Sequence, residues 1–239
     1  MIIDGHCHLG PLVGCNLQVF SGEDLIKEME EDGIDMTIAY SDPAFPDNEY
    51  VAKAMKKFPS KIIGFALINP YQKKPVDQLK RAIEVLGLRG MKLHPFVHGY
   101  ALSTHAYVDP LFKVCVDADL PIIAHGGDDL LTHPYEFDEM ARTFPEAKLI
   151  MAHMGFMFTC DQARKVAKRR ENVYVDTAAV SPADITLAVE ISGANKIVMG
   201  SDNPWFSPKL EVEKIKMAVP DASKRELVLG ENYRKLLKL

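Results

Sequence analysis

The chain has 239 residues, 47% of them hydrophobic and 26% charged, an ordinary balance for a globular protein with a sizeable core. With 28 Lys and Arg against 33 Asp and Glu it carries a net charge of −5, which argues against a nucleic-acid-binding surface. No apolar run approaches the roughly 18 residues that span a bilayer. No basic segment precedes the first apolar run as in a signal peptide, and Cys7, Cys15, Cys115 and Cys160 show no CxxC spacing, so a cytoplasmic protein with reduced thiols is expected.

The chain opens on MIIDGHCH. Its apolar start predicts a buried strand, and Asp4, His6 and His8 follow at alternate positions. On an extended chain the two imidazoles face one way and Cys7 the other. Two imidazoles so placed make a two-toothed clamp for a divalent ion. Ser21 with Asp24 three residues on (SGED) starts a helix that stops at Gly33. A strand is predicted over 36–40 (MTIAY), a helix over 48–58 closed by Pro59, and a strand over 61–68 (KIIGFALI). A helix over 76–86 leads to the fourth strand, LRGMKLH at 88–94. The loop FVHGYALSTHAY then precedes a helix over 110–118. LPIIAH at 120–125 and AKLIMAH at 147–153 are the fifth and sixth strands, followed by helices over 134–143 and 161–170. NVYVDTA at 172–178, a helix over 182–191 and KIVMGSD at 196–202 complete the alternation, and helical segments over 209–218 and 223–237 follow. The basic run Lys165, Lys168, Arg169 and Arg170 reads as a solvated helix face.

Eight short apolar strands alternating with helices predict parallel βαβ units closed into a (β/α)8 TIM barrel, one α/β domain over 1–239. An open doubly wound sheet fits less well, because no Gly-rich phosphate turn follows the first strand. Polar residues gather at the C-terminal strand ends: His6, His8, Lys92, His94, His125, His153, Asp176 and Asp202. A barrel brings those ends to one mouth. Buried imidazoles and carboxylates are costly unless they pair or bind something, and a metal ion gives them a common partner.

DGHCH, GMKLHP, PIIAHGG, KLIMAHMG and MGSDNP, in that order, with the closing GENYRKLL, resemble the amidohydrolase superfamily. Within it they resemble the amidohydrolase-related branch, which includes small metal-dependent hydrolases and aminocarboxymuconate-semialdehyde-type decarboxylases. The resemblance implies a distorted barrel with one divalent metal, usually Zn2+, held by His6, His8, His125 and Asp202. It places His153 beside the metal-bound water. Three neutral ligands leave most of the ion's charge uncompensated, so a bound water can ionise near neutral pH. Asp202 would accept its proton, and His153 would bond the nucleophile or the developing oxyanion. Lys92 and His94 are expected to contact substrate. Lys92 reads as an unmodified cation for a substrate carboxylate or as the partner of Asp4 or Asp176; a carboxylated Lys92 would instead bring a second metal. His94 is alternatively a loop anchor. His98, His105 and His133 are assigned to surface loops, and Trp205 and Phe206 to the pocket wall or to loop packing.

The activity expected first is a metal-dependent hydrolase acting on a small amide, lactone or ester. The alternative is a non-oxidative decarboxylase of the same branch; such enzymes are usually longer, and the compact chain tilts the expectation to hydrolysis. A TatD-like nuclease is disfavoured because Lys92 and His94 stand where that family has a glutamate. A non-catalytic zinc-binding barrel is disfavoured by the full ligand set with a candidate base. The expected partner is a small-molecule substrate, with a carboxylate among the candidates and no nucleic acid or membrane; a homo-oligomer is left open.

Overall fold

The computed structural model describes residues 1–14 and 19–239, so Cys15 lies outside the described residues. Strand β1 (Ile3–Pro11) pairs briefly and antiparallel with β2 (Val19–Phe20). Helix α1 (Gly22–Asp32) opens on the Ser21–Asp24 capping box and closes on Gly33 at φ 72°. Then come β3 (Met36–Ser41), α2 (Asn48–Lys57), β4 (Ile62–Gly64), β5 (Ala66–Leu67), α3 (Pro75–Glu84) and β6 (Met91–Leu93). Next are α4 (Pro95–His98), α5 (His105–Asp117), β7 (Ile122–Ala124), α6 (Pro134–Thr143), β8 (Leu149–Met151) and α7 (Cys160–Arg169). The chain finishes with β9 (Val173–Asp176), α8 (Pro182–Ser192), β10 (Ile197–Val198), α9 (Pro208–Ala218), α10 (Ala222–Glu226) and α11 (Asn232–Leu237).

Strands β1, β3 and β4 form one parallel arc, and β5 through β10 form another in chain order. The predicted third strand is thus broken at Phe65, whose N–H bonds Ala39 O at 2.9 Å while Ala66 N–H turns to Gly90 O at 2.8 Å. The arcs meet again at β1. There Gly5 N–H bonds Met199 O (3.0 Å), Asp202 N–H bonds His6 O (2.8 Å) and His8 N–H bonds Asn203 O (2.8 Å). The result is a closed (β/α)8 barrel with its helices outside. No helix among the described residues is long and apolar enough to cross a membrane.

Two apolar layers hold it. The outer one, between strands and helices, includes Leu9, Ile62, Leu79, Leu111, Leu149 and Val166. The inner one fills the barrel with Ile3, Ile38, Ile63, Phe65, Ile123, Ile150 and Val198, and α11 contributes Tyr233, Leu236 and Leu237 to it. Gly5 makes room for that insertion: a Cβ there would collide with the Tyr233 ring.

Three local expectations change. His6 and His8 lie in the middle of β1, since their polarity marks a site and not a strand end. A register shift between Asp4 and Cys7 turns Asp4 off the histidine face. Its carboxylate accepts from Ser201 N–H (2.9 Å), Ser201 Oγ and Cys7 Sγ (3.2 Å), fastening β1 to the chain after β10. Helix α5 begins at His105 and carries Pro110 inside it, where the usual placement of proline in a first turn had put its start.

Candidate metal centre

His6 and His8 project into the barrel from β1, while Cys7 faces the outer layer. Lys92 rises from the middle of β6 and His94 follows that strand as the N-cap of α4, its Nδ1 accepting from Val97 N–H at 3.4 Å. His125 follows β7, and His153 sits in a tight turn after β8 at φ 60°. Asp202 lies beyond β10 at φ 66°. Left-handed backbone costs about 1–3 kcal/mol at a non-glycine residue and collects at functional sites. All seven residues line one cavity of about 540 Å³, walled by Val13, Pro43, Val97, Phe156, Trp205 and Phe206.

Asp202 Oδ1 is the centre of the cluster, 3.1 Å from His6 Nε2 and 3.2 Å from His8 Nε2. Donor atoms of His6, His153 and Asp202 lie within 4.8 Å of one another. His125 is outside that compact group. Its ring meets the His153 ring edge-on at 4.8 Å and stacks on His94 at 4.1 Å. The tightest triangle therefore contains His153, which the family resemblance placed beside the ion, and leaves out His8 and His125, which it placed on it.

Burial sets the charges. It holds His94 and His125 well below the usual imidazole range, lowers His8, and takes His153 down to about 4. Burial and Lys92 oppose a charged His6, but the carboxylates of Asp202 and Asp176 outweigh them and raise its pKa. Burial works against ionisation of Asp202, yet His6 and His8 hold it well below the usual carboxylate range. Lys92 is pushed down to about 8 by burial, against the pull of Asp202 and Asp176. At neutral pH the cavity thus offers several neutral imidazoles beside an ionised carboxylate.

A divalent ion fits that donor set. Two imidazole nitrogens converge on one carboxylate oxygen, which needs positive charge between them, and buried His8 resists supplying it as a proton. His8 Nδ1 is also buried without a hydrogen-bond partner.

Other expectations resolve differently. Lys92 pairs with neither Asp4 nor Asp176; its Nζ lies 3.1 Å from Tyr40 Oη and 3.4 Å from His6 Nε2. His98 is not a surface residue: it ends α4, half-buried, with Nε2 on Pro43 O at 3.0 Å. His105 starts α5 paired with Asp109, and His133 caps α6. Trp205 does wall the pocket, edge-on to His8 at 4.7 Å. The sequence reading missed Tyr40 as the floor under Lys92, although it too lies near the end of a strand. It noted Asp176 without the role that its contacts give it.

The sequence profile of the family described as amidohydrolase matches residues 3–239. The chain belongs to the amidohydrolase family. No curated protein matches this amidohydrolase sequence. Solved structures resemble it at low identity. A dihydroxybenzoic acid decarboxylase from Polaromonas, with bound manganese and 2-nitroresorcinol, is 16% identical with TM-score 0.79 over 100% of this chain and 97% of that one. A 5-carboxyvanillate decarboxylase from Sphingomonas paucimobilis is 13% identical with TM-score 0.78 over 100% and 99%. A probable 2-pyrone-4,6-dicarboxylic acid hydrolase from Acinetobacter baumannii, with citric acid bound, is 15% identical with TM-score 0.75 over 100% and 99%. These likenesses establish the shared barrel. The alignments span nearly all of the two decarboxylase chains.

Proposed function

We propose that this amidohydrolase is a metal-dependent decarboxylase of a small, ring-bearing carboxylic acid. The observation that carries the reading is Lys92. It is a buried ammonium facing the cavity, and among the described residues no carboxylate lies within ion-pair distance of it. A substrate carboxylate is the partner it lacks. The apolar walls at Val97, Phe156, Trp205 and Phe206 suit a flat hydrocarbon ring above it. The decarboxylase neighbours act on acids of that kind, according to their names.

The ion would be held by His6, His8 and Asp202, with His125 and His153 as further donors beside them; manganese, present in the Polaromonas decarboxylase among other neighbours, stands beside zinc as the metal. When bound, the ion supplies electrostatic stabilisation of an oxyanion. Asp202 Oδ1, ionised and central, is the proton carrier. His153 Nδ1 faces Ala178 O at 3.3 Å, so its neutral ring presents Nε2 to the cavity as an acceptor. In the reaction the bond between ring carbon and carboxylate breaks. Carbon dioxide leaves, the electron pair stays on the ring carbon, and that carbon takes one proton from solvent, relayed through Asp202, which is ionised again once it has passed the proton on.

Hydrolysis is the second reading, favoured by the same pair: an ionised Asp202 and a free His153 Nε2 also suit activation of water. Metal-loaded protein incubated with 2,6-dihydroxybenzoate, 5-carboxyvanillate and 2-pyrone-4,6-dicarboxylate separates them. Release of carbon dioxide supports decarboxylation; ring opening of the pyrone without it supports hydrolysis and overturns the first reading.

A further inference from the structure

The geometry points to Asp176 as a positioning residue that dictates which nitrogen of His6 faces the centre and locks the turn carrying His153. This inference rests on the metal-centre reading above and extends it to a residue that touches neither ion nor substrate.

Asp176 ends β9, fully buried. Its Oδ2 lies 2.7 Å from His6 Nδ1, and its Oδ1 accepts from His153 N–H at 2.6 Å and Ala178 N–H at 3.1 Å. An ionised carboxylate offers no proton, so His6 must donate from Nδ1. The lone-pair nitrogen of a neutral His6 is then Nε2, the atom facing Asp202 and 3.4 Å from Lys92 Nζ. Lys92 carries only donors, which agrees with a lone pair on Nε2, whereas the Asp202 carboxylate 3.1 Å away only accepts and needs a proton or a shared cation between it and that nitrogen. The same carboxylate holds the left-handed His153 backbone, so one side chain from β9 sets elements from β1 and β8 together.

The isosteric amide tests this sharply. Two backbone N–H groups donate to Oδ1, so in Asp176→Asn the amide oxygen must stay there and the NH2 must face His6. That forces the His6 proton onto Nε2 and removes the lone pair from the centre, while the hold on His153 remains.

Zinc titration against a competing chelator is expected to show Asp176→Asn binding roughly 10–100-fold more weakly than wild type. Nitrogen-15 spectra of wild type, metal-free at alkaline pH and zinc-loaded, should show His6 protonated at Nδ1. Equal zinc affinity of a folded Asp176→Asn variant overturns the inference, and so does a wild-type His6 with its proton on Nε2 or its zinc on Nδ1. If the variant does not fold, or if wild type takes up no zinc, the metal-free spectrum decides. Failure of wild type to take up zinc would count against the metal centre, a result distinct from any of these.

Discussion

Lys92 shows how one side chain can be costly to the fold and useful to the site. Burying an ammonium without a carboxylate is unfavourable, and Tyr40 compensates only in part, with its hydroxyl at 3.1 Å and its ring centroid 4.5 Å from Nζ. Lys92→Met should therefore fold at least as well as wild type, because it removes the buried charge and keeps the length. Its KM for a carboxylate substrate should rise about 10–100-fold, the loss of a charge-assisted hydrogen bond. Thermal melting and steady-state kinetics check the two halves. Glu211 in α9 gives a pH signature. Lys214 Nζ sits 2.6 Å from its carboxylate, which argues for an ion pair, but burial lifts the carboxyl to about 8. Burial prevails, because Glu211 Oε1 has no hydrogen-bond partner. An unfolded glutamate ionises near 4.5, so between 4.5 and about 8 the folded chain holds a proton that the unfolded chain has lost. This contribution is fully present below 4.5 and is lost as pH rises through about 8, amounting to ~2–5 kcal/mol. Urea denaturation across that range should show the decline, and Glu211→Gln should flatten it.

At the scale of elements, the alternation of strands and helices was readable because each apolar run is bounded by a cap, a glycine or a proline. The SGED box and Gly33 of α1 act where the sequence put them. The strand-end histidines were readable for a related reason: polar residues following apolar runs have no packing role. Four features were not. The break at Phe65 depends on which neighbour each amide meets, and the turning of Asp4 depends on a register shift that no local pattern carries. The bonds of Asp176 to His6 and His153 span 170 and 23 residues, so neither of these leaves a short-range trace. The insertion of α11 was hidden too, although Gly5 in DGHCH is its counterpart. Gly5→Ala should destabilise by about 1–3 kcal/mol or more through its collision with Tyr233. Adding Tyr233→Leu should recover part of that loss, since the two residues share one contact. Chemical denaturation of the single and double variants measures it.

Over the whole molecule, the candidate ligands straddle the join where the two arcs meet. His6 and His8 stand on one lip, and Asp202 stands on the other. A metal bound there should stabilise the barrel by about 2.7 kcal/mol when its free concentration is a hundred times Kd. Hydrogen exchange should report where. The amides of Gly5, His8 and Asp202 should slow most on loading, and those of β7 and β8, deep in the longer arc, least.

The latch formed by Asp4 with Ser201 adds a kinetic consequence. The backbone bonds that shut the wall also fix the spacing of the jaws, so each opening of the wall spreads the ligands and loosens the ion. Loosening the latch by Ser201→Ala should quicken both capture and escape, leaving their ratio nearly unchanged. Stopped-flow exchange of zinc against a chelator would time that breathing.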